Sequence, residues 1–210
     1  MGKRVFLFTL LFILFTQISF AQDQMYHLTV SGGVGLSGGL KYVKQPAISG
    51  KIFGEKLFDE DNRKYFYIAF EYSRLNAADP ITKPFPNSNS VTVTYTYKRA
   101  QLITLTGGGK RILDNNMFYG VGMGLGIYTQ GVPSEYYSEP LLNYVQYKQG
   151  NGGWGIASSA QFGYLLNKFY ISLNYQGCWL PFRTVDLSNK DDVDLSSFAL
   201  VTGVSVGYSF

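Results

Sequence analysis

The clearest regularity in the chain is a period of two. From Tyr119 to Ile127, large apolar residues (Tyr119, Val121, Met123, Leu125, Ile127) alternate with Gly120, Gly122, Gly124 and Gly126. Successive side chains of a strand point to opposite faces, so this segment predicts a strand with one bulky face and one bare face. In a helix the same glycines would be spread around the axis and would destabilise it. The stretch from Phe198 to Phe210 repeats the pattern. Phe198, Leu200, Thr202, Val204, Val206, Tyr208 and Phe210 share one face, while Ala199, Val201, Gly203, Ser205, Gly207 and Ser209 share the other.

Two further strands flank a short turn at 165–168. Before it, Trp154, Ile156, Ser158, Ala160, Phe162, Tyr164 and Leu166 lie on one face; after it, Phe169, Ile171, Leu173, Tyr175, Gly177 and Trp179 do the same. Leu28, Val30, Val34 and Leu36 predict a first strand, and Phe66, Ile68, Phe70 and Tyr72 a third. A second strand is expected within 46–58. A fourth is expected within 91–110, where Arg99 and Gln101 conflict in phase with Ile103 and Leu105. Short connections fall near 59–64, 110–116 and 165–168. Longer ones fall near 76–90, 129–152 and 184–195.

Eight strands of this kind predict an all-β fold: an eight-stranded antiparallel up-and-down transmembrane β-barrel with short periplasmic turns and longer external loops. A soluble barrel would turn its apolar faces inward, and its outer face would then be Gly, Ser, Ala and Thr. The reverse arrangement fits better, because a barrel of about eight strands has room inside only for side chains. The aromatic residues agree. Trp154 and Tyr164, Phe169 and Trp179, and Phe198 and Tyr208 each stand ten residues apart. A tilted membrane strand needs about 9–11 residues to cross, so rings are expected at both water–lipid interfaces. Trp154, Tyr164, Phe169, Trp179 and Phe198 are the expected aromatic girdle. Backbone edges cannot be left open in hydrocarbon. Residues 26–37 are therefore expected to pair with 198–210.

The N-terminus reads as a secretory signal. Lys3 and Arg4 precede the apolar run from Val5 to Phe15, and Ser19 and Ala21 are the small residues of a cleavage site. The run is too short to cross a membrane as a helix. Cleavage is expected after Ala21, giving a signal segment 1–21 and a barrel domain 22–210. Removing Lys3 and Arg4 from the 18 basic residues leaves 16 against 14 acidic ones, so the formal charge falls from +4 to +2. Net charge then gives no support for a nucleic-acid partner. Cys178 is the only cysteine, so no internal disulfide can form.

On these features the chain resembles small outer-membrane β-barrels of the OmpA/OmpX type, especially barrel-domain proteins common in Bacteroidota. The resemblance covers residues 22–210, and its most specific feature is the ending GVSVGYSF. It implies location in the cell outer membrane, contact with outer-membrane lipid, and recognition by the barrel-assembly machinery during insertion. It also implies that Val204, Val206, Tyr208 and Phe210 form the assembly signal. Such a likeness assigns no activity.

Candidate chemistry is sparse. His27 is the only histidine and starts the first strand, where an interfacial polar residue is expected rather than a general base. No His-x-Ser pattern suggests a lipid deacylase. One His and one Cys at opposite ends of the chain make no transition-metal site. Asp186, Asp191, Asp192 and Asp194 lack EF-hand spacing and read as a solvated loop. The glycines at 120–126 stay in strand register, so they are not a nucleotide loop. No catalytic residue, cofactor or metal is expected.

Glu71, Gln161, Asn174 and Gln176, with Arg99, are expected to form a polar network in the lumen. Glu71 there requires a cation, for which Arg99 is the expected partner. Tyr128, Tyr136, Tyr137, Tyr144 and Tyr147 are expected in or beside an external loop. The sequence favours a non-enzymatic barrel with a structural or surface-interaction role, touching an envelope or extracellular protein. The alternatives are an accessory role in secretion or envelope assembly, a channel for small or hydrophobic solutes, and, least, a lipid-modifying enzyme.

Overall fold

In a computed structural model, residues 26–38, 43–84, 92–96, 98–130, 134–138, 143–147, 151–184 and 198–210 are described. The expected signal segment with Ala21, and the acidic residues 186–194, lie outside them. Twelve strands follow in chain order: β1 (Tyr26–Gly38), β2 (Val43–Asp59), β3 (Lys64–Ala77), β4 (Ile81–Pro84), β5 (Thr92–Thr96), β6 (Ala100–Ile112), β7 (Met117–Gln130), β8 (Ser134–Ser138), β9 (Asn143–Tyr147), β10 (Asn151–Leu166), β11 (Phe169–Thr184) and β12 (Phe198–Ser209). Eight of them close a barrel in the order β1-β12-β11-β10-β7-β6-β3-β2. Every neighbouring pair is antiparallel, as an up-and-down barrel requires.

Closure falls where the pattern placed it. β1 and β12 pair from Thr29↔Ser209 to Gly38↔Leu200. Beyond the ladder, the Phe210 N–H donates to the Leu28 carbonyl at 2.9 Å, and the Ser209 N–H to the Lys168 carbonyl at 2.8 Å.

The faces are inverted relative to a soluble protein. Val121, Met123, Leu125, Ile68 and Leu173 point outward and are each 60–68% exposed. Gly120, Gly122 and Gly126 point inward. Such a belt of large exposed apolar residues is a surface for lipid, not water. The expected girdle residues Trp154, Tyr164, Phe169, Trp179 and Phe198 all lie on this outer face. Phe169, Tyr208 and Phe210 pack edge to face, with centroids 5.0 and 4.9 Å apart.

Three tight turns, 60–63, 113–116 and 167–168, form one rim. Each contains one residue in the left-handed region: Arg63, Asn116 and Asn167, with φ of 49°, 63° and 56°. Two of the three are Asn, which tolerates that region best after glycine.

Inward glycines mark seams where neighbouring strands approach closely. A Cβ on Gly35 or Gly203 would collide with the backbone across the β1–β12 seam; one on Gly108 or Gly124 would collide across the β6–β7 seam. Only glycine lets neighbouring strands approach so closely. In the ring order these seams lie opposite each other. They divide the wall into two four-stranded faces, β12-β11-β10-β7 and β6-β3-β2-β1, joined across the lumen by side-chain hydrogen bonds.

The opposite rim departs from expectation. The long connections near 76–90 and 129–152 are not plain loops. Between β3 and β6 run β4 and β5, and between β7 and β10 run β8 and β9; the four form a second sheet in the order β4-β5-β8-β9. β5 and β8 come from different connections and pair from Thr92↔Ser138 to Thr96↔Ser134. The fourth barrel strand is also corrected. The stretch 91–110 holds two strands, β5 in the second sheet and β6 in the barrel. The phase conflict arose at their junction, because Arg99 belongs to neither strand.

Candidate functional site

The lumen is filled in three layers. At the tight-turn end, Phe53, Tyr67, Ala69, Ile112, Phe118 and Tyr170 form a buried cluster. Tyr170 meets Phe53 and Phe118 edge to face, with centroids 6.0 and 5.7 Å away. At the other end, Leu75, Leu102, Tyr128, Cys178, Leu180 and Val201 pack with three buried alanines, Ala47, Ala100 and Ala199. Between the two clusters lies a polar layer.

Most bonds in that layer run from one face of the wall to the other. Ser73 on β3 donates to Gln176 Oε1 on β11 at 2.6 Å. Gln176 Nε2 in turn donates to Thr104 Oγ1 on β6 at 2.9 Å. Tyr67 and Ser159 share a hydrogen bond of 3.2 Å, and Ser159 donates to Thr106 at 3.2 Å. Asn174 donates to Ser205 on β12. Each bond satisfies groups that would otherwise be costly to bury. Gln161 Nε2 and Arg111 Nε are the buried side-chain polar atoms left without a partner among the described residues.

Four charges line the tight-turn half of this interior. Lys110 Nζ lies 2.7 and 3.0 Å from the two oxygens of Glu55. Lys51 sits directly opposite Glu71 in the β2–β3 register. Its Nζ also donates to Gln161 Oε1 at 3.2 Å. Both ammonium groups lie over aromatic rings, Lys110 at 4.7 Å from the Phe118 centroid and Lys51 at 5.1 Å from that of Phe53. Cation–π attraction of this kind strengthens when the cation is desolvated. Two cations against two anions leave the set neutral.

Glu71, Gln161 and Gln176 are buried in the lumen, and Asn174 is half-buried there. Arg99 is not among them. It is exposed in the segment before β6, and Gln101 points outward. The cation opposite Glu71 is Lys51. Sequence reading missed Lys51, Glu55 and Lys110. A signal existed: Lys51, Phe53 and Glu55 share the phase of Ala47, and Lys110 shares that of Thr104 and Thr106. The connection expected near 110–116 begins at Lys110, whereas β6 runs on to Ile112 and keeps Lys110 in the wall.

The remaining candidates fall apart. His27 is half-buried at the tight-turn rim, its ring 6.0 Å from that of Tyr65. Cys178 is buried in the other apolar cluster. Tyr128 belongs to β7 and points inward, rather than lying on a loop surface. Tyr136 and Tyr137 lie on β8, and Tyr144 and Tyr147 on β9. Among the described residues no three His, Cys, Asp or Glu gather into a metal site.

A closed up-and-down barrel of eight strands, apolar outside and packed inside, is the OmpA/OmpX-type outer-membrane barrel fold. No family model and no curated protein matches the chain. Among solved structures it is similar to Ail, the attachment invasion locus protein of Yersinia pestis, in its complex with the heparin analogue sucrose octasulfate. That match has a TM-score of 0.50 at 12% identity and covers 89% of this chain and all of that one. A second Ail structure matches at 0.45 and 11% identity, over 89% of this chain and 100% of that one. Neisserial surface protein A matches at 0.45 and 7% identity, over 88% of this chain and 97% of that one. At these identities the likeness is one of fold.

Proposed function

We propose that this chain is a non-enzymatic integral barrel of the outer membrane that presents the β4-β5-β8-β9 sheet to a partner outside the cell. The observation that carries this reading is the second sheet itself. It joins two separate connections into one surface, which free loops would not do. The packed lumen argues against the channel alternative, since two apolar clusters bracket the polar layer.

In this reading the tight turns face the periplasm and the sheet faces outward. Val204, Val206, Tyr208 and Phe210 serve the barrel-assembly machinery as well as facing lipid. The partner is an extracellular or envelope macromolecule. The solved Ail complex holds a heparin analogue, so a sulfated glycan belongs among the partners tested. An accessory role in secretion or assembly is the second reading, and it predicts envelope proteins as partners.

The test replaces residues 131–150 with a short turn and compares both proteins in intact cells. Heat-dependent mobility on a denaturing gel should be unchanged. Binding to immobilised glycans or host-matrix proteins should be lost. If the truncated protein binds every partner as well as the parent does, the sheet is not the binding surface.

A further inference from the structure

The loop-end rim is not evenly charged. On β3 the outward positions run Phe66, Ile68, Phe70, Tyr72 and then Arg74. Phe66 to Arg74 inclusive is nine residues, close to the 9–11 that cross a bilayer. Arg74 thus stands where the apolar wall ends. Its neighbours in register are Ile48 on β2 and Gln101 on β6. Lys98 and Arg99 immediately precede β6, whose Ala100 pairs with Leu75. Arg74, Lys98, Arg99 and Gln101 are all exposed.

Among the described residues, Arg74, Lys98 and Arg99 have no hydrogen-bond or ion-pair partner. Asp79 on this side is, among the described residues, held by Lys44 at 2.8 Å. On the other face, Trp154, Trp179 and Phe198 are the outward residues near this rim. Unpaired cations at the edge of an apolar wall meet the headgroup layer of the surrounding leaflet. There a guanidinium can grip a phosphate through two parallel hydrogen bonds.

We infer that the outer wall over β3 and β6 is a binding site for the phosphate headgroup of a membrane lipid, with Arg74, Lys98 and Arg99 as its cations. The inference rests on the membrane reading above. The acyl chains of such a lipid would lie on Ile52, Phe70, Ile103 and Leu105 below. Gln101 adds a neutral donor beside Arg74.

The test reconstitutes the full chain in vesicles of equimolar phosphatidic acid and phosphatidylcholine. The protein is then extracted in neutral detergent, and the lipid retained on it is weighed by mass spectrometry. Phosphatidic acid should be enriched over the vesicle ratio. Each cation near such a surface is worth about a fivefold preference. Arg74→Gln should therefore lower the enrichment about fivefold, and the triple change with Lys98→Gln and Arg99→Gln should abolish it. Lys56→Gln, on the tight-turn half of the wall, should leave it unchanged. No enrichment in the parent, or enrichment that survives the triple change, overturns the inference. So does inorganic phosphate binding at the three cations without any lipid preference. Heat-dependent mobility of the same sample shows separately whether the barrel inserted, so a failed insertion counts against the membrane reading instead.

Discussion

Lys110 reaches across β3 to Glu55, and this pair is buried at both ends, with side chains 5% and 4% exposed. Removing one partner leaves an uncompensated charge inside the barrel. Glu55→Gln or Lys110→Met alone should cost about 3–5 kcal/mol. The double change should recover much of that loss, since no orphan charge remains. Urea unfolding in vesicles measures all three. Losses that simply add would show that the two groups are not coupled.

The glycine seams make a sharp contrast between inward and outward positions. A Cβ at Gly124 collides with the Leu105 backbone, whereas one at Gly54 or Gly109 meets nothing within 4 Å. Gly124→Ala should prevent or slow barrel closure, and Gly54→Ala and Gly109→Ala should fold like the parent. The fraction of heat-modifiable protein after refolding reads this directly. Equal folding of all three variants would contradict the close backbone approach at the β6–β7 seam.

A lumen packed in three layers should not conduct. In planar bilayers the folded protein is expected to give no discrete current steps. Phe53, Phe118 and Tyr170 form the tight-turn seal. Regular steps from the parent, abolished by unfolding it, would mean that the layers open.

Asp59 closes the first tight turn. It accepts a hydrogen bond from Lys64 Nζ at 2.9 Å and another from the Asn62 N–H at 3.1 Å. The Lys64 contact first, then the Asn62 amide, holds its pKa below the ordinary carboxylate value of 3.8. A depressed value means the turn is stabilised above that ordinary value and loses the contribution as pH falls through the folded one. NMR of the folded protein should show Asp59 titrating below 3.8, and Lys64→Met should move the midpoint up. A midpoint that ignores Lys64 would remove the contact from the account.

Much of this was legible along the chain because a lipid-facing strand has few ways to satisfy its surroundings. The β7 segment shows both faces in nine residues, and the β1–β12 closure follows from the impossibility of an open edge in hydrocarbon. The interior was harder. Lys51 and Phe53 share an inward face that is neither apolar nor polar throughout, and only the register across β2 and β3 sets Lys51 against Glu71. The second sheet was hidden for a different reason. β4, β5, β8 and β9 have four or five residues each, too few to show a period. Their partners are also set by which connections rise beside one another, a property of the closed ring.

That ring has a mechanical effect on whatever the outer sheet meets. β4 and β5 lie between β3 and β6, and β8 and β9 lie between β7 and β10, so all four short strands are anchored on adjacent staves of one rigid wall. A surface mounted this way arrives at its partner already ordered, and it loses little freedom on contact. Residues on the sheet can then change to suit a new partner without re-engineering the base beneath them.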